Sequence, residues 1–311
     1  MRPAESFILI FQISLIFFTS ALSQQNINNK SNSPDIKSPY YDQKTPGMTP
    51  EIFAPGVISR EGFDDYGITF SKNNDLLLYT CDTIGSNKHN IMFCVLKDGK
   101  WTAPELIPFS FTHSIGEPVF SPYSDKIFYG QLVMNANGNW EPHIYFTKKT
   151  EDGWETPSHI TPGLFASETN DGTLYFTDVT RSKKPMDKSD IVKSKYVDGK
   201  YMESELLERE INTEFQEFHP FIAPDESFVI FDSDRPGGFG DYDIYISFKN
   251  NNNEWGTPIN FGEEINSNEY DGVATLSTDG KYLFYCHNQD IYWVSSIIIE
   301  NLKNQDLHKN Q

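Results

Sequence analysis

The 311-residue chain has little of several things, and each shortage excludes a class of protein. Cysteine is scarce: Cys81, Cys94 and Cys286 are an odd set in a chain long enough to need no disulfide staple. All three sit in or beside apolar strand-like runs and read as buried free thiols; a Cys81–Cys94 bridge would join two ends of one hairpin out of register. Basic residues are few, 25 Lys and Arg against 44 Asp and Glu, a net charge of −19. That field repels polyanions and excludes a phosphate-backbone binder, so no nucleic-acid partner is expected. No apolar run reaches the roughly 20 residues of a membrane helix. No Gly-x-Ser-x-Gly elbow, phosphate loop or dinucleotide fingerprint occurs, which leaves hydrolase triads and nucleotide chemistry without support. His89, His113, His143, His159, His219 and His287 show no zinc spacing, and no cofactor is expected.

What is present is 24 Phe, 16 Tyr, 18 Pro and 20 Gly, a composition suited to short strands joined by tight turns. Phe7 to Phe18 is a short apolar run, followed by Ala21-Leu22-Ser23 with the small-x-small pattern of a cleavage site. Residues 1–23 are therefore expected to be a signal peptide and 24–46 a flexible polar tether. A single domain follows at 47–300 and a polar tail at 301–311. The expected location is periplasmic or extracellular, with no membrane span after cleavage.

A turn followed by an apolar strand recurs five times, with Asp75, Asp125, Asp171, Asp225 and Asp279 in the turns at steps of 50, 46, 54 and 54 residues. Asp suits the place because its carboxylate accepts backbone N–H groups within the turn. A polar-Ile-apolar triplet follows each turn: Asn90-Ile91-Met92, His143-Ile144-Tyr145, Asp190-Ile191-Val192, Asp243-Ile244-Tyr245 and Asp290-Ile291-Tyr292. These read as strand starts. Trp101 to Pro104, Trp154 to Pro157 and Trp255 to Pro258 read as outer-edge strands, where a missing donor is tolerated. Four strands per unit of about 50 residues predict propeller blades. The last unit lacks its fourth strand, and Thr49-Pro50-Glu51-Ile52-Phe53 reads like Thr257-Pro258-Ile259-Asn260-Phe261. The N-terminal strand is thus expected to complete the last blade of an all-β, five-bladed propeller, with six blades as the alternative.

The run Ala223-Pro224-Asp225-Glu226, the loop Ser233 to Gly240 leading into Asp243-Ile244-Tyr245, and Trp255-Gly256-Thr257-Pro258 resemble the PD40, or WD40-like, repeat of TolB-type proteins. The resemblance spans about residues 48–300 and is weaker in the first and third units. It implies an exported bacterial propeller acting as a protein-interaction platform.

If the strand leading into each turn is innermost, its first side chains surround the channel mouth. Asp65, Glu117, Glu168, Glu217, His219 and Asp271 are placed there as candidate ligand-binding residues. Asp65, Glu117 and Glu168 also have the order in which some five-bladed glycosidases carry their acidic residues. Glu168 stands where the other units carry Phe70, Phe120, Ile222 and Leu276. Asp232, Asp234, Asp241 and Asp243 are dense enough in oxygen to suggest calcium, although Arg235 beside them favours an ion-pair network. Because every repeated feature serves blade structure, the leading expectation is a monomeric, non-enzymatic binding or scaffold module for a protein or envelope component. The alternative is a carbohydrate-active enzyme of the glycoside hydrolase type, with a glycan partner.

Overall fold

In the computed structural model, which describes residues 40–86, 88–181 and 188–309, five four-stranded antiparallel sheets stand around one axis. Blade 1 runs outward through Phe63–Phe70, Leu76–Thr83, Ile91–Lys97 and Glu105–Leu106. Blade 2 is Ile115–Phe120, Ile127–Met134, Trp140–Thr147 and Ser158–Pro162. Blade 3 is Leu164–Glu168, Leu174–Asp178, Asp190–Ser194 and Glu205–Leu206. Blade 4 is Glu217–Ile222, Phe228–Ser233, Asp243–Phe248 and Ile259–Asn260. Blade 5 is Asp271–Leu276, Tyr282–His287 and Asp290–Ser295, completed by Glu51–Ile52 from the other end of the domain. Each inner strand lies against the inner strands of both neighbours, the fifth against the first, so the ring closes.

The turns form as their residues dictate. Oδ1 of Asp171, Asp225 and Asp279 accepts the backbone N–H two residues on, from Thr173, Ser227 and Lys281. Two sequence readings shift. The outer strand begins after the Trp-x-x-Pro motif rather than within it, as at Glu105–Leu106 and Ile259–Asn260. The tryptophans instead fill seams between blades: Trp101 packs with Phe53 and Trp293, and Trp154 with Phe93 and Phe109. His143-Ile144-Tyr145 lies inside its strand rather than at its start, because the blade 2 hairpin is longer than expected. All three cysteines are free and buried.

The segment 1–23 read as a signal peptide, and residues 24–39 of the tether, lie outside the described residues. The tether's last residues are packed: Tyr40 is buried against Phe70, Tyr282 and Trp293, and Tyr41 stacks on Trp101. At the other end Ile297–Lys309 is a helix whose Ile298, Ile299 and Leu302 pack into the hydrophobic cluster of blades 4 and 5. No helix among the described residues is long and apolar enough to cross a membrane.

One backbone feature sets the centre of the ring. Every inner strand carries a register shift against its partner. At each shift stands a residue with positive φ: Gly67, Glu117, Phe165, His219 or Val273. Only Gly67 adopts that conformation without strain; a side chain costs about 1–2 kcal/mol there. The bulge also frees a backbone N–H, and the preceding blade catches it. Thr80 Oγ1 accepts from Glu117 at 2.7 Å, Thr177 Oγ1 from His219 at 3.1 Å, and Asp232 Oδ1 from Val273 at 3.2 Å. These three acceptors occupy one equivalent position on the second strand of their blades.

Candidate functional site

The bulges open a central depression made of two adjoining cavities, of about 540 and 430 Å³, which share Tyr66, Glu117, His219 and Tyr270 as walls. Glu117 and His219 are both bulge residues, from blades 2 and 4. His219 Nε2 stands 3.1 Å from Glu117 Oε1, and its Nδ1 stands 2.9 Å from Asp232 Oδ1. Burial alone would lower the pKa of this imidazole, but the charges of Asp232 and Glu117 outweigh it and push the value up to about 10. His219 is therefore an imidazolium at neutral pH. Burial would likewise raise Glu117, yet the contact with His219 and the nearby His89 holds its carboxyl below the usual range.

A second acid–imidazole pair borders the same space. Asp82 Oδ2 lies 2.6 Å from His89 Nδ1 and accepts a hydrogen bond from the Tyr66 hydroxyl at 3.0 Å. The bond to Asp82 raises the His89 pKa against the effect of burial. Tyr66, buried beside Asp82 and Glu117, titrates far above its ordinary value and stays a phenol. Asp64 faces the smaller cavity, and its pKa is raised by burial and by Asp82.

The residues expected at the mouth divide three ways. Glu117 and His219 line the depression. Asp65, Glu217 and Asp271 do not; they stand two positions before the bulge in blades 1, 4 and 5, and each holds the loop leading into its own strand. Asp65 Oδ2 accepts from Arg60 N at 3.0 Å, Glu217 Oε2 from Thr213 N at 3.2 Å, and Asp271 Oδ2 from Ser267 N at 2.6 Å. Burial pushes Asp65 and Glu217 up to about 6 and raises Asp271 as well. Glu168 lies at the far end of its strand, level with Phe70 of blade 1 and so about 15 Å along the strand direction from the level of Asp65. There, fully buried, it accepts hydrogen bonds from Ser121 and from the Tyr201 hydroxyl (2.8 Å), with Lys126 Nζ at 3.8 Å. Asp65, Glu117 and Glu168 therefore do not converge.

The four aspartates considered for calcium do not share a centre either. Asp232 serves His219 and Val273, Asp234 accepts from Gln216 N, and Asp243 accepts from Phe239 N, Gly240 N and Asn260 Nδ2, while Asp241 is exposed. Among the described residues no three His, Cys, Asp or Glu side chains come together as metal ligands. Arg235 pairs with Glu217 at 3.1 Å. Sequence reasoning missed Asp64, Asp82, Tyr66 and Tyr270. Strand alternation puts only one of the adjacent Asp64 and Asp65 toward the channel, and the bulge decides which.

No family model matches the chain, and no curated protein is similar to it. Similar solved structures include a thermostable family-43 glycoside hydrolase, with TM-score 0.49 and 13% identity, covering 75% of this chain and 88% of that one. An α-L-arabinofuranosidase from Lactobacillus brevis has TM-score 0.44 and 14% identity, covering 73% and 84%. A gluconolactonase from Xanthomonas campestris has TM-score 0.45 and 10% identity, covering 80% and 95%. Against a xylan β-1,4-xylosidase from Bacillus halodurans the match spans about half of that chain, 53%. These are likenesses at low identity, and no residue role is carried across from them. Glycosidases recur among these structures, against the expectation of a non-enzymatic binding or scaffold module, which is withdrawn; at this similarity the likeness shows the fold alone.

Proposed function

We propose that the chain is a carbohydrate-active enzyme of the glycoside hydrolase type, working in the central depression with Glu117 and Asp64 in place of the trio first expected. The observation that carries this reading is that two carboxyls with pKa values pushed in opposite directions, Glu117 downward and Asp64 upward, line one cavity. Hydrolysis of a glycosidic bond needs such a pair. The raised carboxyl donates a proton to the leaving oxygen. The ionised one either attacks the anomeric carbon or takes a proton from the attacking water. His219 holds Glu117 ionised, and the phenols of Tyr66 and Tyr270 supply polar tips and apolar ring faces suited to a sugar. With Asp64, Glu117 and Glu269 around it, the cavity favours an uncharged glycan over a uronate.

The test is a panel of neutral polysaccharides and aryl glycosides assayed with the purified chain, beside Glu117→Gln and Asp64→Asn. The expected result is sugar release by the wild type, falling about a thousandfold in Glu117→Gln. No release from any substrate, or release unaffected by both substitutions, overturns the reading. Proton NMR of the first product assigns retention or inversion, and with it the role of Glu117.

We further propose export, supported by the apolar run Phe7 to Phe18 and the Ala21-Leu22-Ser23 site, and a PD40-type origin for the repeats, supported by Ala223 to Glu226 and Asp243-Ile244-Tyr245. N-terminal sequencing of the secreted chain tests the first.

A further inference from the structure

The two central strands of blade 2 overhang the depression. In blades 4 and 5 the second strand ends at Ser233 and His287, the residues that pair with the start of the inner strand. The equivalent residue of blade 2 is Gln131, and its strand continues to Met134, which adds about 10 Å at the usual strand rise. The tip is purpose-built. Asn135 Oδ1 accepts the backbone N–H groups of both Asn137 and Asn139, and Gly138 supplies the positive φ of the turn.

This overhang brings Leu132, Trp140 and Pro142, with the amide of Gln131, into the wall of the larger cavity that ends at Glu117 and His219. Trp140 is 58% exposed and pairs across the hairpin with Met134, itself 55% exposed. The other blade tryptophans are buried or packed in seams; Trp140 is the large aromatic side chain left open in the cavity wall. Isolated exposed apolar residues need no explanation. A tryptophan held on a projecting hairpin, on the rim of a ligand-sized cavity and beside an amide, is a different case.

We propose that Trp140 and its hairpin form a sugar-stacking shelf, a subsite for an uncharged pyranose or furanose unit one or more residues away from the unit at Glu117. This proposal rests on the reading of the depression as a glycan site. The indole face takes the C–H face of the ring, Pro142 and Leu132 continue the apolar floor, and Gln131 faces its hydroxyls. The acidic surroundings select a neutral sugar over an acidic one. The shelf thereby makes the protein a reader of oligosaccharides rather than of single sugars.

The experiment is calorimetric titration of the Asp64→Asn chain, alone and combined with Trp140→Ala or Trp140→Phe. The ligands are neutral xylo-, arabino- and cello-oligosaccharides from disaccharide to hexasaccharide, with polygalacturonate oligomers as the acidic probe. At least one neutral series is expected to bind and to quench tryptophan emission. Trp140→Ala should weaken it about tenfold or more, and Trp140→Phe should stay within about threefold. Unchanged affinity in Trp140→Ala, tighter binding of the polygalacturonate probe, or no binding of any neutral oligosaccharide overturns the proposal. Binding is read here in a chain with its acid neutralised. Absence of hydrolysis in the wild type would therefore strike the reaction and leave the shelf, whereas Trp140-independent binding would strike the shelf and leave the reaction. The exposure of Trp140 keeps loss of folding from imitating loss of binding.

Discussion

Glu117 and His219 occupy the same bulge position in blades 2 and 4 and meet across the centre of the ring, Oε1 to Nε2 at 3.1 Å. The fold turns all five bulge residues toward one axis, so two of the five can be a charged pair while Gly67, Phe165 and Val273 leave room or close the floor. Asp232 completes the arrangement from behind, bonded at once to His219 Nδ1 and to the bulge N–H of Val273. The central charges are thus tied to the hydrogen bonds that join one blade to the next.

That tie predicts how stability depends on pH. His219 has a folded pKa of about 10 and an unfolded value of about 6.5, so its stabilisation is complete below about pH 6.5 and is lost as pH rises toward 10. Urea unfolding of the wild type should show a decline across that window. His219→Gln should be about 3–5 kcal/mol less stable at pH 6, because Asp232 and Glu117 are left buried without their cation. The variant should also lack the decline, and parallel profiles for the two proteins would refute the ion-pair account.

The same substitution should move the pH–rate profile. Glu117 is held below its usual range mainly by His219 working against burial. Without the imidazolium its pKa rises, and the acid limb of kcat/KM should shift to higher pH while the substrate preference stays the same. An acid limb unmoved in His219→Gln would mean that Glu117 does not set it.

Much of the architecture could be read from the chain because turn chemistry repeats: Asp225 and Asp279 sit in their turns as expected, and the likeness of Thr49–Phe53 to Thr257–Phe261 located the closing strand. The site was harder to read for a single physical reason. The bulges share no compositional mark, one carrying Gly67 and the others Glu117, Phe165, His219 and Val273, and each slips the alternation by one residue. That slip turns Asp65 away from the channel and Asp64 toward it, and it makes Glu117, rather than the acid at a strand's start, the central carboxylate. Glu168 was correctly aligned with Phe70 and Phe120 as an oddity. Its expected place at the mouth is nonetheless wrong, because Glu168 stands level with Phe70 at the far end of its strand.

Glu168 should accordingly matter for stability and leave catalysis alone. It links blades 2 and 3 through Ser121, Tyr201 and Lys126, and its side chain is wholly buried. Glu168→Leu should cost about 3 kcal/mol or more in denaturant unfolding, since it strands the Lys126 ammonium, whose pKa burial already lowers. Adding Lys126→Met should restore much of the loss by removing the orphaned charge. Activity per folded molecule should be unchanged in both variants; a large fall in kcat would return Glu168 to the catalytic candidates.

The closure of the ring rests on very little backbone. The N-terminal strand contributes only Glu51 and Ile52, paired with Trp293 and Tyr292, flanked by two further bonds, from Phe53 N to Ile291 O at 2.8 Å and from Ser295 N to Gly47 O at 2.9 Å. Side-chain packing must supply what so short a ladder does not. Phe53 is fully buried, with its ring centroid 5.1 Å from that of Phe284 and 5.3 Å from that of Trp293. Phe53→Ala should therefore cost about 3–5 kcal/mol, the range for emptying a large core site. Removing residues 1–53 should do more than destabilise. It uncovers the outer edge of Asp290–Ser295, a row of unpaired donors and acceptors that a second chain can extend. Light scattering should then show association in the truncated chain and none in Phe53→Ala, because the point variant loses the packing and keeps the strand that covers the edge. A truncated chain that stays monomeric and as stable as the parent would show that the ring closes by some other means.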